Sequence, residues 1–591
     1  MKKLINDPAV VVAESLDGLT RTAAPVARLG GSNTAIRADV GELRSAGHVA
    51  VISGGGAGHE PAHAGYVGGG MLTAAVSGEV FTSPSVDAVL EAIQAVGSDG
   101  GVLLIVKNYT GDRLNFGLAA ELARSEGIET AIVVVADDVA LAAADGAGRR
   151  GIAGTVLVHK VAGAAAAAGL PLAEVAARAR QVADTVGTMG VALSACTVPA
   201  AGQPGFLLDG DEVEWGLGIH GEPGVERGAL LPVRATVARL AQAIVDDRRV
   251  ESGARVAVLV NGLGATPPME LSIMADAAVR ELTERGMLVE RLWAGNFLTA
   301  LDMAGASLSI LPVDDDLLAL LDAPTSAPAW PGVVSRPGPS TIPAPPTAET
   351  PAGELGVTDP LRRALEAVAE TLISARDELT DLDREVGDGD LGISLARGAA
   401  AILAECPGYP GAEGPAAVLR AASATVRRSV GGTSGPLYAV LLLRAASALP
   451  GSSSTSGSLS PSSGPPSLSG SPSPSPSGSP SPTPADWAVA FRAAVSGVRE
   501  VGDAAMGDRT MVDALQPAAD AFAGSLEAGN DWHSALESAV EAAKVGAAAT
   551  AEVRARLGRS SYLGDRVLGH PDPGAVAVWS WLAALAATLR P

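Results

Sequence analysis

The stretch 382–392 reads LDREVGDGDLG and gathers three aspartates, Asp383, Asp388 and Asp390, around glycines at 387, 389 and 392. Carboxylates at this density repel one another unless a divalent cation neutralises them, and the glycines let backbone amides come close to an anionic ligand. An EF-hand loop would close with a glutamate at its twelfth position. Counted from Asp383 that position is Ser394, and from Asp388 it is Ala399, so neither register closes. Magnesium holding the phosphates of a nucleotide fits the stretch better than calcium.

Four more glycine-rich clusters follow. GGTSGP (431–436) offers backbone amides and the hydroxyls of Thr433 and Ser434, suited to phosphate oxygens at a helix N-terminus. GDRTM (507–511) brings Arg509 and an apolar Met511 that would lie under a base, GRSSYLGDR (558–566) puts Arg559 in a turn, and HPDPGA (570–575) is a rigid loop. Each alone reads as a helix connector. Together, beside three aspartates, they indicate a nucleotide.

The first half of the chain carries a different set. SGGGAGHEPAHAG (53–65) has no GK[ST] and is not a dinucleotide fingerprint, but it embeds His59 and His63 in pliant backbone. KNYTGDRLNFG (107–117) holds Lys107 and Asp112, and GIHGEPG (218–224) holds His220 between glycines that leave its imidazole open to a ligand. Only seven histidines occur in the chain, so their concentration in glycine loops is informative. His63 reads as structural.

These residues need elements to position them. Up to about residue 325 short β-rich runs, VAVIS (49–53), VLLIVKN (102–108), TAIVVV (130–135) and RVAVLVN (255–261), alternate with alanine-rich helical segments. That pattern predicts two α/β subdomains dividing near 185–200, with ligand groups at strand ends. Residues 326–356 are proline-rich and read as a linker. From 357 to 591 the periodicity is helical throughout, which predicts an all-α domain. Within it, 451–484 consists of Gly, Ser, Thr, Leu and Pro only and reads as a disordered insertion without a catalytic role.

Composition excludes several classes. Acidic residues outnumber Lys and Arg by 65 to 42, a net charge of −23, which disfavours nucleic-acid backbones and anionic membrane surfaces as partners. Two cysteines, Cys196 and Cys406, make no disulfide framework and no metal-spaced pair. The N-terminal segment lacks the apolar run of a signal peptide, and no 18-residue uncharged apolar stretch occurs. A soluble protein of a reducing compartment, the cytoplasm, is expected.

The motifs resemble, in order and along nearly the whole chain, those of fused ATP-dependent dihydroxyacetone kinases. SGGGAGHEPAH, KNYTGD, GIHGEPG and FLTALDMAGASLSIL (297–311) match the substrate-binding K domain; LDREVGDGDLG, GGTSGPLY, GDRTM, GRSSYLGDR and HPDPGA match the nucleotide-binding L domain, an all-α helical barrel. The resemblance implies that His220 attacks the substrate carbonyl to give a hemiaminal. Asp112 would act as general base, with His59 assisting and Gly56, Ala57, Gly58 and Lys107 completing the pocket. It implies that Asp383, Asp388 and Asp390 hold two Mg²⁺ ions on ATP, and that Leu391, Gly392, Ile393, Ser394, Thr433, Ser434, Gly502, Met511, Arg559, Asp572, Pro573 and Gly574 line the nucleotide. Departures are small: Ala57 stands where many relatives have serine, Gly69 where lysine is frequent, and Leu391 where a smaller or polar residue is common.

Dihydroxyacetone is the expected substrate, with glyceraldehyde a second. The alternatives are a four-carbon ketose such as erythrulose, a phosphocarrier-linked relative, a non-enzymatic regulatory relative, and flavin-nucleotide cleavage at the metal site. Fused relatives form homodimers, and the linker is long enough for one subunit's L domain to face the other's K domain.

Overall fold

The computed structural model describes residues 2–141, 148–332, 341–345, 353–356, 359–450 and 481–590. The chain divides into two units, Met1–Ile342 and Pro343–Pro591.

Among the described residues of the first unit, twelve strands form two six-stranded sheets. The first sheet comprises β1 (Val26–Arg28), β2 (Thr34–Arg37), β3 (Ala50–Ala57), β4 (Ala74–Val80), β5 (Val102–Lys107) and β6 (Thr130–Val135), ordered β1-β2-β4-β3-β5-β6. Its strands β4, β3, β5 and β6 run parallel. Every residue of β5 is buried, which suits a strand covered on both faces and explains its unbroken run of Val, Leu and Ile. The second sheet comprises β7 (Gly187–Ala192), β8 (Glu212–Trp215), β9 (Glu226–Ala229), β10 (Arg255–Gly262), β11 (Leu288–Gly295) and β12 (Gly305–Pro312), ordered β11-β10-β12-β7-β8-β9. Only its β10–β11 pair is parallel.

Two helices, Thr155–Ala167 and Leu172–Thr185, bind the sheets together. Thr155–Ala167 is buried around its whole circumference, as a helix enclosed on all sides must be. Val156, Leu157, Val161, Val175 and Val182 belong to one apolar cluster with Leu103, Ile105 and Val133 of the first sheet and Leu259, Trp293 and Leu311 of the second. Gly163 allows the close approach: a Cβ there would lie 2.2 Å from the Cα and 2.3 Å from the carbonyl oxygen of Met71. Alanine would gain about 1 kcal/mol of helix propensity, but overpacking against fixed backbone costs about 3 kcal/mol. Gly163→Ala is therefore expected to destabilise by about 2 kcal/mol net, read as a lower denaturant midpoint for the unit.

The sequence places the glycines 54–56 after a strand, whereas β3 runs through them to Ala57. Side chains are absent there because neighbouring backbone fills the space. A Cβ on Gly54 would meet the Val76 carbonyl at 2.3 Å, and one on Gly56 would meet Thr82 N at 2.5 Å. Folded structure also runs into the stretch read as linker. Ala327 and Trp330 are buried, Ser326 and Ala329 donate backbone N–H bonds to Gly69 and Gly65, and at the far end buried Leu355 donates to Pro407.

In the second unit the described residues contain nine α-helices and no strand, as the helical periodicity predicts. The helices Pro360–Ser374, Leu391–Glu405, Pro415–Ser429, Ser434–Ala448, Pro484–Gly502, Val512–Glu527, Trp532–Ala549 and Pro573–Thr588 pack each on the next, and the last returns to the first. That closure makes a barrel. Small residues set its spacing: Ala535, Ala539, Ala543 and Ala547 recur every fourth position and are all buried, and a Cβ on Gly546 would lie 2.0 Å from the Asp513 carbonyl oxygen. Residues 451–480 of the stretch read as an insertion lie outside the described residues. Its last members belong to a helix: Thr483 and Asp486 form a capping box that starts Pro484–Gly502.

Candidate active site

The first unit collects its polar residues where β3 and β5 end. Lys107, the last residue of β5, is fully buried and its Nζ has no hydrogen-bond partner among the described residues. Asp112, on the first turn of the helix Thr110–Ser125, is also buried and accepts a hydrogen bond from Ser83 Oγ. Both face Gly55: a Cβ there would lie 3.3 Å from Lys107 Nζ and 3.5 Å from Asp112 Oδ2. Burial pushes the Lys107 ammonium down from its ordinary value, while Asp112, Glu222 and Asp137 pull it back.

His59 follows β3 directly. Its Nδ1 lies 2.7 Å from the Thr299 carbonyl oxygen, so Nδ1 carries the proton and donates. Its buried Nε2 is left with a lone pair and no partner among the described residues. Burial, then the charges of Lys107 and His220, hold this imidazole neutral. The His59 ring stacks on Phe81 at 5.0 Å and meets the edge of His220 at 4.8 Å. His220 is also in edge contact with Phe81 at 5.2 Å and Tyr109 at 4.7 Å. Its Nδ1 lies 2.9 Å from Glu222 Oε1, and its backbone N–H donates to Glu222 Oε2 at 2.9 Å. Burial raises the Glu222 carboxyl, but its hydrogen bond and charge interaction with His220 prevail and hold it at about 2.

The structure thus brings His59, Lys107, Asp112 and His220 to one place, with Gly56, Ala57 and Gly58 on the strand end beside them. Glu222, Phe81, Ser83, Tyr109 and Thr299 also shape it and escape the sequence reading. Glu222 had a signal, an acid two residues after the glycine-flanked histidine; Thr299 lies within the FLTALDMAGASLSIL motif without standing out in it, and Phe81 had no signal. Asp112 combines with a hydroxyl donor and a buried cation, the setting of a carboxylate that accepts a proton from a substrate hydroxyl.

Behind this site lies His159, fully buried in Thr155–Ala167, with both ring nitrogens unpartnered among the described residues and the ring 5.2 Å from that of His63. Burial, then the Lys107 charge, push its imidazole down from 6.5 to about 3. Between these values the unfolded chain binds a proton that the folded protein does not. Stability contributed by neutral His159 is therefore present above the unfolded value and is lost as pH falls towards 3. Each pH unit of this window is worth roughly 1.4 kcal/mol at most. His159→Leu is expected to flatten that acid limb, measured by denaturant unfolding across the window. An unchanged limb would mean that His159 is not the group responsible.

In the second unit Asp383 lies in the last turn of the helix Arg376–Val386, and Asp388 and Asp390 occupy the turn between it and Leu391–Glu405. One carboxylate oxygen from each lies within 4.8 Å of the others. Asp383 is buried, and its Oδ2 accepts from the backbone N–H groups of Asp390 (2.9 Å) and Leu391 (3.1 Å). Asp388 and Asp390 are exposed, and Asp388 pairs with Arg559. Hard oxygen donors crowded in this way, two of them open to solvent, suit a magnesium ion.

Around them stand helix starts. Gly392 packs on Thr380, Ser394 is buried and Ile393 exposed. Asp572 caps Pro573–Thr588 by accepting from Ala575 N at 2.8 Å, and a Cβ on Gly574 would lie 3.6 Å from Met511 Cβ, just ahead of Val512–Glu527. Thr433 and Ser434 open Ser434–Ala448, and Gly502 ends the next helix, Pro484–Gly502, beside Leu437. Helix N-termini carry unpaired N–H groups and partial positive charge, which favours phosphate. Burial raises the Asp572 carboxyl to about 6, with Arg509 opposing and Asp513 and Asp383 adding to the rise. Arg509, by contrast, is buried and donates to the carbonyls of Thr550, Val567 and His570, which makes it a brace for the loop.

Comparison with known proteins agrees with this geometry. The Dak1 domain matches residues 17–329 and the DAK2 domain residues 385–587. The chain is 41% identical to the human triokinase/FMN cyclase over 607 residues, covering all of this chain and 99% of that one. It is 35% identical to the D-erythrulose kinase of Mycolicibacterium smegmatis, covering 98% of this chain and 97% of the relative. The crystal structure of the C. freundii dihydroxyacetone kinase in complex with AMP-PNP and Mg²⁺ matches with a TM-score of 0.61 and 32% identity over 99% of both chains. A phosphotransferase with separate substrate and nucleotide units is the class these features define. The chain belongs to the family of fused dihydroxyacetone kinases, with a Dak1 and a DAK2 domain.

Proposed function

We propose that the protein phosphorylates dihydroxyacetone, and glyceraldehyde as a second substrate, with ATP as donor. The observation that carries this is the state of His220. With Nδ1–H donated to Glu222, the lone pair sits on Nε2 in a cage of Tyr109, Phe81 and His59. Nε2 adds to the ketone carbon, the π pair moves onto oxygen, and a proton from solvent completes the hydroxyl. The charge left on the ring is balanced by Glu222. This tether selects a carbonyl compound over glycerol, which offers similar hydroxyls and nothing to attack.

Asp112 accepts the proton of the terminal hydroxyl as that oxygen takes the phosphoryl group. Ser83 orients the carboxylate, and His59 Nε2 accepts a hydrogen bond from the substrate. Asp383, Asp388 and Asp390 would hold magnesium, two ions in this reading, which neutralises charge on the nucleotide phosphates. The residues lining that nucleotide are Leu391 to Ser394, Thr433, Ser434, Met511, Arg559 and Asp572 to Gly574 at helix starts, with Gly502 at a helix end. A cytoplasmic homodimer belongs to the same reading, on the family resemblance. No helix among the described residues is long and apolar enough to cross a membrane.

A four-carbon ketose is the competing substrate, supported by the likeness to a D-erythrulose kinase. The test is ADP release with Mg²⁺–ATP and, in turn, dihydroxyacetone, glyceraldehyde, both erythruloses and glycerol. Turnover highest with dihydroxyacetone and absent with glycerol is expected. Higher kcat/KM with an erythrulose would transfer the assignment to that sugar, and no turnover of any carbonyl compound would end it.

A further inference from the structure

The loop carrying His220 hangs from β8 of the second sheet but is gripped from the first. Beyond β6, Asp138 accepts from Arg150 Nε at 2.6 Å, and Arg150 Nη2 donates to the Gly216 carbonyl at 2.6 Å, where that loop begins. Asp138 is further fixed by Ala140 N–H on its Oδ1, and its own N–H donates to the Arg150 carbonyl. The remaining nitrogen of Arg150 turns towards Glu222. A Cβ on Gly218 would lie 2.5 Å from Arg150 Nη1 and 2.1 Å from Glu222 Oε2, so the two groups face each other across the bare side of that glycine and act on one another through charge rather than through a direct hydrogen bond.

We propose that Arg150 is a positioning residue for the nucleophile, holding Glu222 in the orientation that keeps the His220 proton on Nδ1 and the lone pair on Nε2. The proposal rests on the hemiaminal reading above and deepens it. A neutral imidazole has one N–H, and the acceptor-only carboxylate of Glu222 decides which nitrogen bears it. An amide in its place can donate, which lets the ring adopt the other tautomer and removes the lone pair from Nε2. A carboxylate alone does not suffice, because its side chain has rotamers that point to solvent. Arg150, itself 7% exposed and fixed at Asp138 and Gly216, sets a positive charge on the inner side that disfavours them. The simpler account is that Arg150 and Asp138 are a buried pair that only stabilises the fold. The two accounts differ in whether adduct formation depends on the Arg150 charge that faces Glu222 across Gly218.

The experiment adds [2-¹³C]dihydroxyacetone to the full chain without nucleotide and follows the labelled carbon by NMR, with the melting temperature recorded alongside. The variants are Glu222→Gln, Arg150→Lys and Gly218→Ala. The last has a backbone conformation open to alanine and wedges a methyl between Glu222 and Arg150 while keeping both charges. In the unaltered protein the carbonyl signal is expected to give way to a carbon bonded to nitrogen. Adduct occupancy should fall by about tenfold or more in Glu222→Gln, and by about threefold or more in the other two, at temperatures where each is folded. Unreduced occupancy in Gly218→Ala overturns the role of Arg150, whatever Glu222→Gln does. No adduct in the unaltered protein overturns the hemiaminal reading and this inference with it.

Discussion

His220→Ala is expected to lower kcat/KM for dihydroxyacetone by about three orders of magnitude, equivalent to about 4 kcal/mol of transition-state stabilisation. The size follows from what the ring supplies. A covalent bond to the substrate replaces a loose encounter by a fixed one, and holds the hydroxyl against Asp112 at no further entropic cost. Alanine leaves the rest of the pocket standing. The His220 side chain is only 19% exposed, yet its neighbours His59, Phe81 and Tyr109 have contacts of their own, and Glu222 keeps the backbone N–H of residue 220. The melting temperature should therefore move by no more than a few degrees. A second readout is sharper than the rate. With the tether gone, the residual activity should no longer prefer dihydroxyacetone over glycerol, since only the carbonyl distinguishes them. If His220→Ala keeps that preference, pocket shape makes the selection and the hemiaminal does not.

At the other site, Asp388→Ala is expected to raise the Mg²⁺ concentration needed for half-maximal activity by about 10–100-fold, with activity partly recovered when Mg²⁺ is added in excess. Asp388 is the clean position to test. Asp383 also accepts two backbone N–H bonds in the turn, so replacing it disturbs the fold as well as the metal. Asp388 is 42% exposed and its partner is Arg559, an exposed ion pair whose loss has little effect on stability. That pair gives the prediction an opposite-signed companion. Arg559 competes with a cation for Asp388, so Arg559→Ala should tighten Mg²⁺ binding in the absence of nucleotide while weakening ATP. Calorimetric titration of Mg²⁺ into the three proteins checks both signs. An unaltered Mg²⁺ requirement in Asp388→Ala would remove this residue from the metal site.

Much of this was visible in the sequence because glycine marks the places where backbone must come close to something. GIHGEPG and the LDREVGDGDLG turn are legible for that reason, and β-branched runs such as VLLIVK declare a strand buried on both faces. What was not legible depends on contacts across the chain. Thr299 fixes the His59 tautomer from 240 positions away, and no local pattern announces it. The glycines 54–56 read as a loop because glycine usually breaks a strand, and only the backbone crowding from Val76, Phe81 and Thr82 explains why β3 continues through them. Proline content made 326–356 read as linker throughout, yet Trp330 packs against Trp293 and Phe297. An aromatic residue in such a stretch is the local hint that part of it is folded.

The helices shared between the two sheets have a consequence for how the substrate site opens. His59, Lys107 and Asp112 come from one sheet and His220 from the other, but a single apolar cluster secures both. Neither sheet retains a covered inner face once that cluster parts, so amides in β5 and β10 should exchange with solvent through the same rare event and at one common free energy. A fragment ending before Gly187 would keep three of the four groups and lose the layer that buries Thr155–Ala167. The substrate site is in this sense indivisible: natural variation can reshape its loops, but cannot inherit half of it.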